Sequence, residues 1–372
     1  MTRSPDLAHY YALGRSGLRV SRLALGTMTF GAESGWGADK DAARRLFDAY
    51  VEAGGNFFDT ADLYSSGTSE TWLGEFVAER GLRDKAVIAT KFGFNAAPGD
   101  PNAGGAGRKH ILNAIEGSLK RLGTDYVDLY ILHAWDRVTP VEETMRALDE
   151  LTRSGKARYV GLSNVPAWHA ARAQTLAEAR GWETVAALQL EYSLIERGIE
   201  NEFVDLATRL GMGVMVWSPL AGGLLSGKYR PGERAVGRLE TLKDSPNPAF
   251  RRLTPRNQAI IAELEAVAKA IERPMAQVAL NWVAHRPGVA SAIVGATTPA
   301  QLAMNLDALS FALPAELKAK LDAASAPPPA YPYIFFGETL QGMIHGGARV
   351  GDKPAGYFPT IESGGADGGG AE

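Results

Sequence analysis

Four side chains capable of proton chemistry close or follow short apolar runs in the first half of the chain. Asp59 ends the run 56–59, Tyr64 follows it by five residues, Lys91 ends the run 86–91, and His133 ends the run 127–133. A phenol with an ordinary pKa near ~10 is a poor acid at neutral pH, but a neighbouring ammonium stabilises the phenolate and lowers that pKa. Lys91 could supply the ammonium to Tyr64. Asp59 would pair with Lys91 and keep it charged in a dry site, where an unpaired ammonium tends to lose its proton. His133 would donate to, or orient, a substrate oxygen. Such a set suits proton delivery to an oxygen that becomes an alkoxide when a hydride reaches carbon. It suits a serine nucleophile poorly, because no Ser with a general base joins it. With no cysteine, six histidines and no H-x-x-x-H pair, no metal is expected.

Singly, each residue has a plainer role: a strand-end turn for Asp59, half-exposed surface for Tyr64, the first exposed residue after a strand for Lys91. Different titratable groups at the ends of three consecutive apolar runs argue for a shared task. Similar polar residues close the later runs: Ser163 and Asn164, Gln189 with Glu191, and Trp217 with Ser218.

Eight apolar runs are expected as strands, at 23–26, 56–59, 86–91, 127–133, 157–163, 186–191, 213–218 and 289–294. Between them, apolar residues at helical spacing predict helices over 40–53, 69–80, 110–122, 141–153, 167–180, 200–210, 256–285 in two pieces broken at Pro274, and 299–308. Residues 10–24 alternate around a turn and predict a β-hairpin. Strict strand–helix alternation implies a parallel sheet, and closure into a (β/α)8 TIM barrel is the simplest architecture. A doubly wound open sheet would carry a glycine-rich dinucleotide turn, and neither Gly26–Ala32 nor Gly104–Lys109 has that spacing. In a barrel the polar run ends converge on one mouth. The long insertions 93–109 and 220–254 would rise from the same face.

The barrel would occupy residues 1–326. A C-terminal extension, 327–372, begins after three prolines and bears Tyr331, Tyr333, Phe335, Phe336, Tyr357 and Phe358, which suggest packing; its last dozen residues read as disordered. The chain has 372 residues, 45% of them apolar, enough for a full core. The net charge of −3, from 39 basic and 42 acidic residues, and the lack of any basic block leave nucleic acid and anionic membranes as poor partners. With no cysteine, no signal-peptide core and no run long enough to span a bilayer, the cytoplasm is expected.

The chain resembles the aldo-keto reductase superfamily over about residues 10–310, most closely bacterial members related to potassium-channel β subunits. The resemblance is carried by LGxSGLxVS at 13–21, LALGTMTFG at 23–31, NFFDTADLY at 56–64, TKFG at 90–93, SLKRLGTDYVDLY at 118–130, GLSN at 161–164, WSPLAGGLLSGKY at 217–229 and VGATT at 294–298. It implies a catalytic tetrad of Asp59, Tyr64, Lys91 and His133, with Tyr64 as general acid in reduction and base in oxidation. It also implies a nicotinamide dinucleotide bound across the mouth without a Rossmann turn. Ser163, Asn164 and Gln189 would hold the carboxamide and Trp217 would lie against the nicotinamide. Ser218, Leu220, Gly222, Leu224, Ser226 and Lys228 would wrap the pyrophosphate. Gly295, Thr297, Gln301 and Asn305 would reach the adenosine end.

One departure bears on the cofactor. Members that prefer NADP often carry Arg or Lys near the start of the last helix, where this chain reads Ala296-Thr297-Thr298. NADP is expected from the family, with NAD as the alternative; Arg230, Arg234 or Arg238 could supply the charge instead. The expected substrate is a small carbonyl compound or alcohol, walled by the Phe92–Phe94 turn, Trp135, Tyr192, loop 229–254 and the tail. An oligomer is compatible with the sequence. Two other readings stay open: a cofactor-sensing interaction module of the channel-subunit type with little turnover, and a barrel with lyase-type acid–base chemistry.

Overall fold

The computed structural model describes residues 7–31, 37–229 and 252–348. A two-stranded antiparallel hairpin, β1 (Tyr10–Ala12) and β2 (Arg19–Ser21), precedes the main fold. Then β3 (Leu23–Gly26), β4 (Phe57–Asp59), β5 (Val87–Phe92), β6 (Val127–Leu132), β7 (Ala157–Ser163), β8 (Val185–Glu191), β9 (Gly213–Trp217) and β10 (Val289–Val294) pair in parallel. With β10 returning beside β3, the barrel is closed. The (β/α)8 expectation is met, and strand boundaries differ from it by a residue or so.

These strands read as unbroken apolar runs because both faces are buried. One face fills the barrel with Ala24, Phe57, Val87, Ala89, Leu129, Ile131, Ala187, Met215 and Ile293. The hairpin adds Leu13 and Val20 to this inner cluster. Its Gly14, at φ +61°, approaches β9 so closely that a Cβ would lie 2.4 Å from the Gly211 carbonyl oxygen. The other face packs under the helices in a larger cluster, where Phe47 stacks on Phe58 at 5.2 Å and Phe92 on Tyr130 at 4.7 Å. Burying each such ring stabilises the fold by roughly 1.5–3 kcal/mol.

The helices are α1 (Lys40–Glu52), α2 (Thr68–Glu79), α3 (Arg108–Leu122), α4 (Val141–Arg153), α5 (Ala167–Arg180), α6 (Phe203–Leu210), α7 (Pro255–Ala270), α8 (Met275–Ala284) and α9 (Pro299–Leu306). Gly123, Gly181 and Gly211 end α3, α5 and α6 in the left-handed conformation expected of C-terminal caps. Thr254 and Thr298 cap α7 and α9, each followed by proline. The expected helix 200–210 is shorter, since Gly198–Asn201 forms a separate 3-10 turn.

Two later helices lay outside the expectation, α10 (Ala315–Ser325) and α11 (Glu338–Ile344). Three distant side chains fix α10 to the barrel. Arg197 donates to the Asp322 carbonyl and to Ser325 Oγ, both at 2.8 Å; Trp282 Nε1 donates to Asp322 Oδ1 at 2.8 Å; Arg256 reaches the Ser325 carbonyl at 2.9 Å. The expectation that the tail aromatics pack on something fails for Tyr331, Phe335 and Phe336, which are exposed. They meet one another instead, Tyr331 with Phe335 and Tyr333 with Phe336. Tyr357, Phe358 and the last dozen residues lie outside the described residues. Among the described residues no helix is long and apolar enough to cross a membrane.

Candidate active site

Register aligns the polar strand ends on one rim: Asp59 pairs with Gly26 and Ala89, Lys91 with Ile131, Ser163 with Gln189, and Glu191 with Trp217. Asp59 is the last residue of β4, and Lys91 lies near the end of β5. His133 extends the β5–β6 ladder by one bond, its N–H donating to the Phe92 carbonyl at 2.8 Å. Tyr64 opens a 3-10 turn, Tyr64–Gly67, in which Ser65 and Ser66 take φ values of 47° and 51°. That turn is held by Gly67 at φ +94°, where a Cβ would stand 2.6 Å from Arg121 Cδ.

Lys91, fully buried, spends its three N–H bonds on Asp59 Oδ2 at 2.8 Å, the Thr60 carbonyl at 2.7 Å and the Tyr64 hydroxyl at 3.1 Å. Burial opposes its charge, but attraction to Asp59 and Tyr64 and hydrogen bonds to both outweigh it, so the ammonium is held above its usual pKa. The His133 imidazole lies beside Tyr64, ring centroids 5.9 Å apart. Burial first, and then the charge of Lys91, push its pKa down to about 3, so it is neutral near pH 7. Its Nδ1 is buried with no partner. The structure thus brings the four expected residues together: a phenol on an ammonium, the ammonium on a carboxylate, and a neutral imidazole alongside.

The residues expected to hold a dinucleotide occupy the opposite side of the mouth. Asn164, at φ 51°, ties three strand ends: Nδ2 donates to the His133 carbonyl and to Ser163 Oγ, both at 2.9 Å, and Oδ1 accepts from Trp217 Nε1 at 3.1 Å. Ser163 is buried, and Gln189 donates to Asp59 Oδ1 at 2.7 Å. Past β9, Ser218, Ala221, Gly222 and Gly223 all have positive φ, winding the chain into a tight turn, Ala221–Ser226, ahead of Lys228. Leu220 precedes this turn, Ser226 Oγ closes on the Gly223 carbonyl at 2.7 Å, and Leu224 points its side chain into the core. At the last helix, Thr297 N–H and hydroxyl donate to Gln301 Oε1, each at 3.0 Å. Asn305 Nδ2 reaches the Gly295 carbonyl at 3.4 Å, while its buried Oδ1 has no partner. An orphaned acceptor beside Gly295 and amides and hydroxyls along one rim fit a ligand rich in hydrogen-bonding groups. α9 carries no basic residue, and Arg230, Arg234 and Arg238 lie outside the described residues.

Residues 22–326 match the family model described as the aldo/keto reductase family. The chain belongs to the aldo/keto reductase family. An uncharacterized oxidoreductase of Bacillus subtilis is 38% identical over 321 residues, covering 83% of this chain and 93% of that protein. A probable voltage-gated potassium channel subunit beta of Oryza sativa subsp. japonica is 38% identical over 302 residues, 81% of this chain and 90% of its own length. An aryl-alcohol dehydrogenase of Pestalotiopsis microspora is 33% identical over 341 residues, 88% of this chain and 84% of its own. The chain is accordingly an oxidoreductase, of a family whose general reaction is NAD(P)-dependent carbonyl reduction.

In this aldo/keto reductase the expected pocket walls divide. Phe94 is exposed and meets His133 at 4.8 Å, beside the mouth, whereas Trp135 has its backbone N–H on the Asn164 carbonyl and its ring against Trp168 and His169 of α5. Phe92 and Tyr192 do not line it. Phe92 is stacked on Tyr130 under the helices, and Tyr192, buried against Trp282, donates to Glu200 Oε1 at 2.5 Å. Two contributors escaped the sequence reading. Thr60 acts through its carbonyl, which no side-chain pattern announces. Asp62, given no role within the 56–64 motif, is buried near Glu70; desolvation, and then the Glu70 charge, raise its pKa to about 7. Its N–H donates to the Lys91 carbonyl at 3.1 Å.

Proposed function

We propose that the protein interconverts a carbonyl compound and an alcohol by hydride transfer with a nicotinamide dinucleotide. Tyr64 is the proton donor in reduction and the acceptor in oxidation. The supporting observation is Lys91 Nζ, which touches both Asp59 Oδ2 and the Tyr64 hydroxyl, with the lysine and carboxylate buried and the phenol partly exposed. When bound, the dinucleotide supplies the hydride. Lys91 steadies negative charge on Tyr64 as its proton leaves, and Asp59 keeps Lys91 charged. Neutral His133 orients the substrate oxygen toward Tyr64. Ser163, Asn164 and Trp217 would hold the nicotinamide end, the turn from Ser218 to Lys228 the pyrophosphate, and Gly295, Thr297, Gln301 and Asn305 the adenosine. NADP is the proposed cofactor and NAD the alternative. Phe94, exposed beside His133, favours a flat, apolar carbonyl compound, in keeping with a relative that is an aryl-alcohol dehydrogenase. We place the protein in the cytoplasm.

Similarity to a channel subunit favours a second reading, a module that senses cofactor and turns over little. NADPH oxidation in a panel of aromatic and aliphatic aldehydes, ketones and sugars separates the two. Turnover with at least one, falling about 10²–10⁴-fold in Tyr64→Phe with NADPH affinity unchanged, supports the enzyme. NADPH binding without turnover supports the module, and unchanged turnover in Tyr64→Phe sinks the role given to that residue.

A further inference from the structure

Asp59 has a second hydrogen-bond partner besides Lys91. Its Oδ1 accepts from Gln189 Nε2 at 2.7 Å, and both residues are 2% exposed. Asp59 belongs to β4 and Gln189 to β8, which stand four places apart in the eight-stranded ring, so the bond runs across the barrel from one wall to the other. A carboxylate that already pairs with an ammonium accepts only, so the group facing it is the Gln189 NH2. One of the two N–H bonds of that nitrogen is spent on Asp59, and the second N–H and Oε1 are left for a carboxamide.

We propose that Gln189 is a positioning residue: its amide braces Asp59 from the opposite wall and so sets how strongly Lys91 acts on Tyr64. This rests on the proton-delivery reading above. Asp59 and Tyr64 draw on the same ammonium, one at 2.8 Å and the other at 3.1 Å. While Gln189 holds Oδ1, part of the carboxylate's charge is balanced by the amide dipole and its plane is fixed. Without that donor the whole charge bears on Lys91, which then steadies the Tyr64 phenolate less. The other groups around this pair are His133 beside Tyr64, which is neutral, and Asp62, whose charge interacts with that of Lys91. Neither contacts Gln189 through a hydrogen bond in the structure.

Two variants separate bracing from cofactor contact. Gln189→Met keeps length and volume but removes donor and acceptor; Gln189→Leu removes both with a branched side chain and adds no charge. Tyrosinate absorbance is titrated in each protein and in the same protein carrying Tyr64→Phe, and the difference isolates Tyr64 without catalysis. NADPH affinity is read by fluorescence, and kcat with 4-nitrobenzaldehyde as the reporter. Bracing predicts that the Tyr64 midpoint rises by about one pH unit in both variants and that kcat falls about tenfold. NADPH affinity should change less than either. A midpoint and kcat equal to the parent's, or a loss confined to NADPH affinity, overturns the proposal. If Gln189→Met does not fold, Gln189→Leu decides by the same readings. The Tyr64→Phe variant of the otherwise unchanged chain judges the proton-delivery reading separately, because the midpoint shift does not depend on turnover.

Discussion

The imidazole of His133 stands edge-on to the ring of Tyr64, centroids 5.9 Å apart and planes at 79°, and meets Phe94 edge-on on a second contact at 4.8 Å. Packed between two aromatic rings and close to a charged lysine, the imidazole is held neutral and in place.

This neutrality has a sign that can be measured. The folded pKa of about 3 lies below the ordinary value of ~6.5. Between these two values the unfolded chain binds the proton and the folded chain does not. The stability contributed by neutral His133 is thus present above ~6.5 and is lost as pH falls toward 3. In the folded enzyme the group does not titrate near neutrality. Carbonyl reduction should therefore show no inflection between pH 5 and 7 that His133→Gln removes; such an inflection near 6.5 would contradict a neutral imidazole.

Asp62 works the other way. Its folded pKa of about 7 lies above the ordinary carboxylate value, so the folded chain binds the proton more tightly than the unfolded one. The resulting stability is full below about pH 4 and is lost as pH rises through 7. Asp62→Asn should raise the melting temperature more at pH 8 than at pH 5, with a gain of roughly 2–4 kcal/mol at the higher pH. Equal effects at the two pH values would show that burial of this carboxyl has no linkage to folding.

Gln301 marks the cofactor end. It sits in the first turn of α9, accepts from Thr297 and lies on a helix without a basic residue. Gln301→Arg should tighten NADPH relative to NADH by about tenfold, the worth of one charge-assisted contact to the 2′-phosphate. Fluorescence titration with both cofactors checks it, and an unchanged ratio would move the 2′-phosphate away from α9.

Much of this molecule is legible before folding is considered. Strands buried on both faces read as unbroken apolar runs, and a titratable residue closing such a run, as Asp59 and Lys91 do, signals a place where burial meets a cavity. Helix ends were legible at Gly123, Gly181 and Gly211, where only the left-handed conformation was needed. What stayed hidden depends on closure. Nothing local directs Gln189 toward Asp59, 130 residues away, or turns Tyr192 from the mouth toward Glu200. Helix α10 buries only Leu317, Leu321 and Ser325, too thin a stripe to read, and owes its place to Arg197, Arg256 and Trp282. The tail misleads for the opposite reason, since Tyr331, Phe335 and Phe336 suggest burial and are left in water.

Cutting the ring between β6 and β7 separates two kinds of duty. Asp59, Tyr64, Lys91 and His133 come from the strands and loops before the cut, and Ser163, Gln189, Trp217, Gly295 and Thr297 from those after it. Proton handling and the proposed dinucleotide grip are thus inherited from separate half-barrels, and the later half can be re-engineered for another cofactor without disturbing the earlier one. Gln189 and Asn164 are the exceptions, because they reach back across the seam to Asp59 and to the His133 carbonyl, and a library built on this scaffold should hold both positions constant.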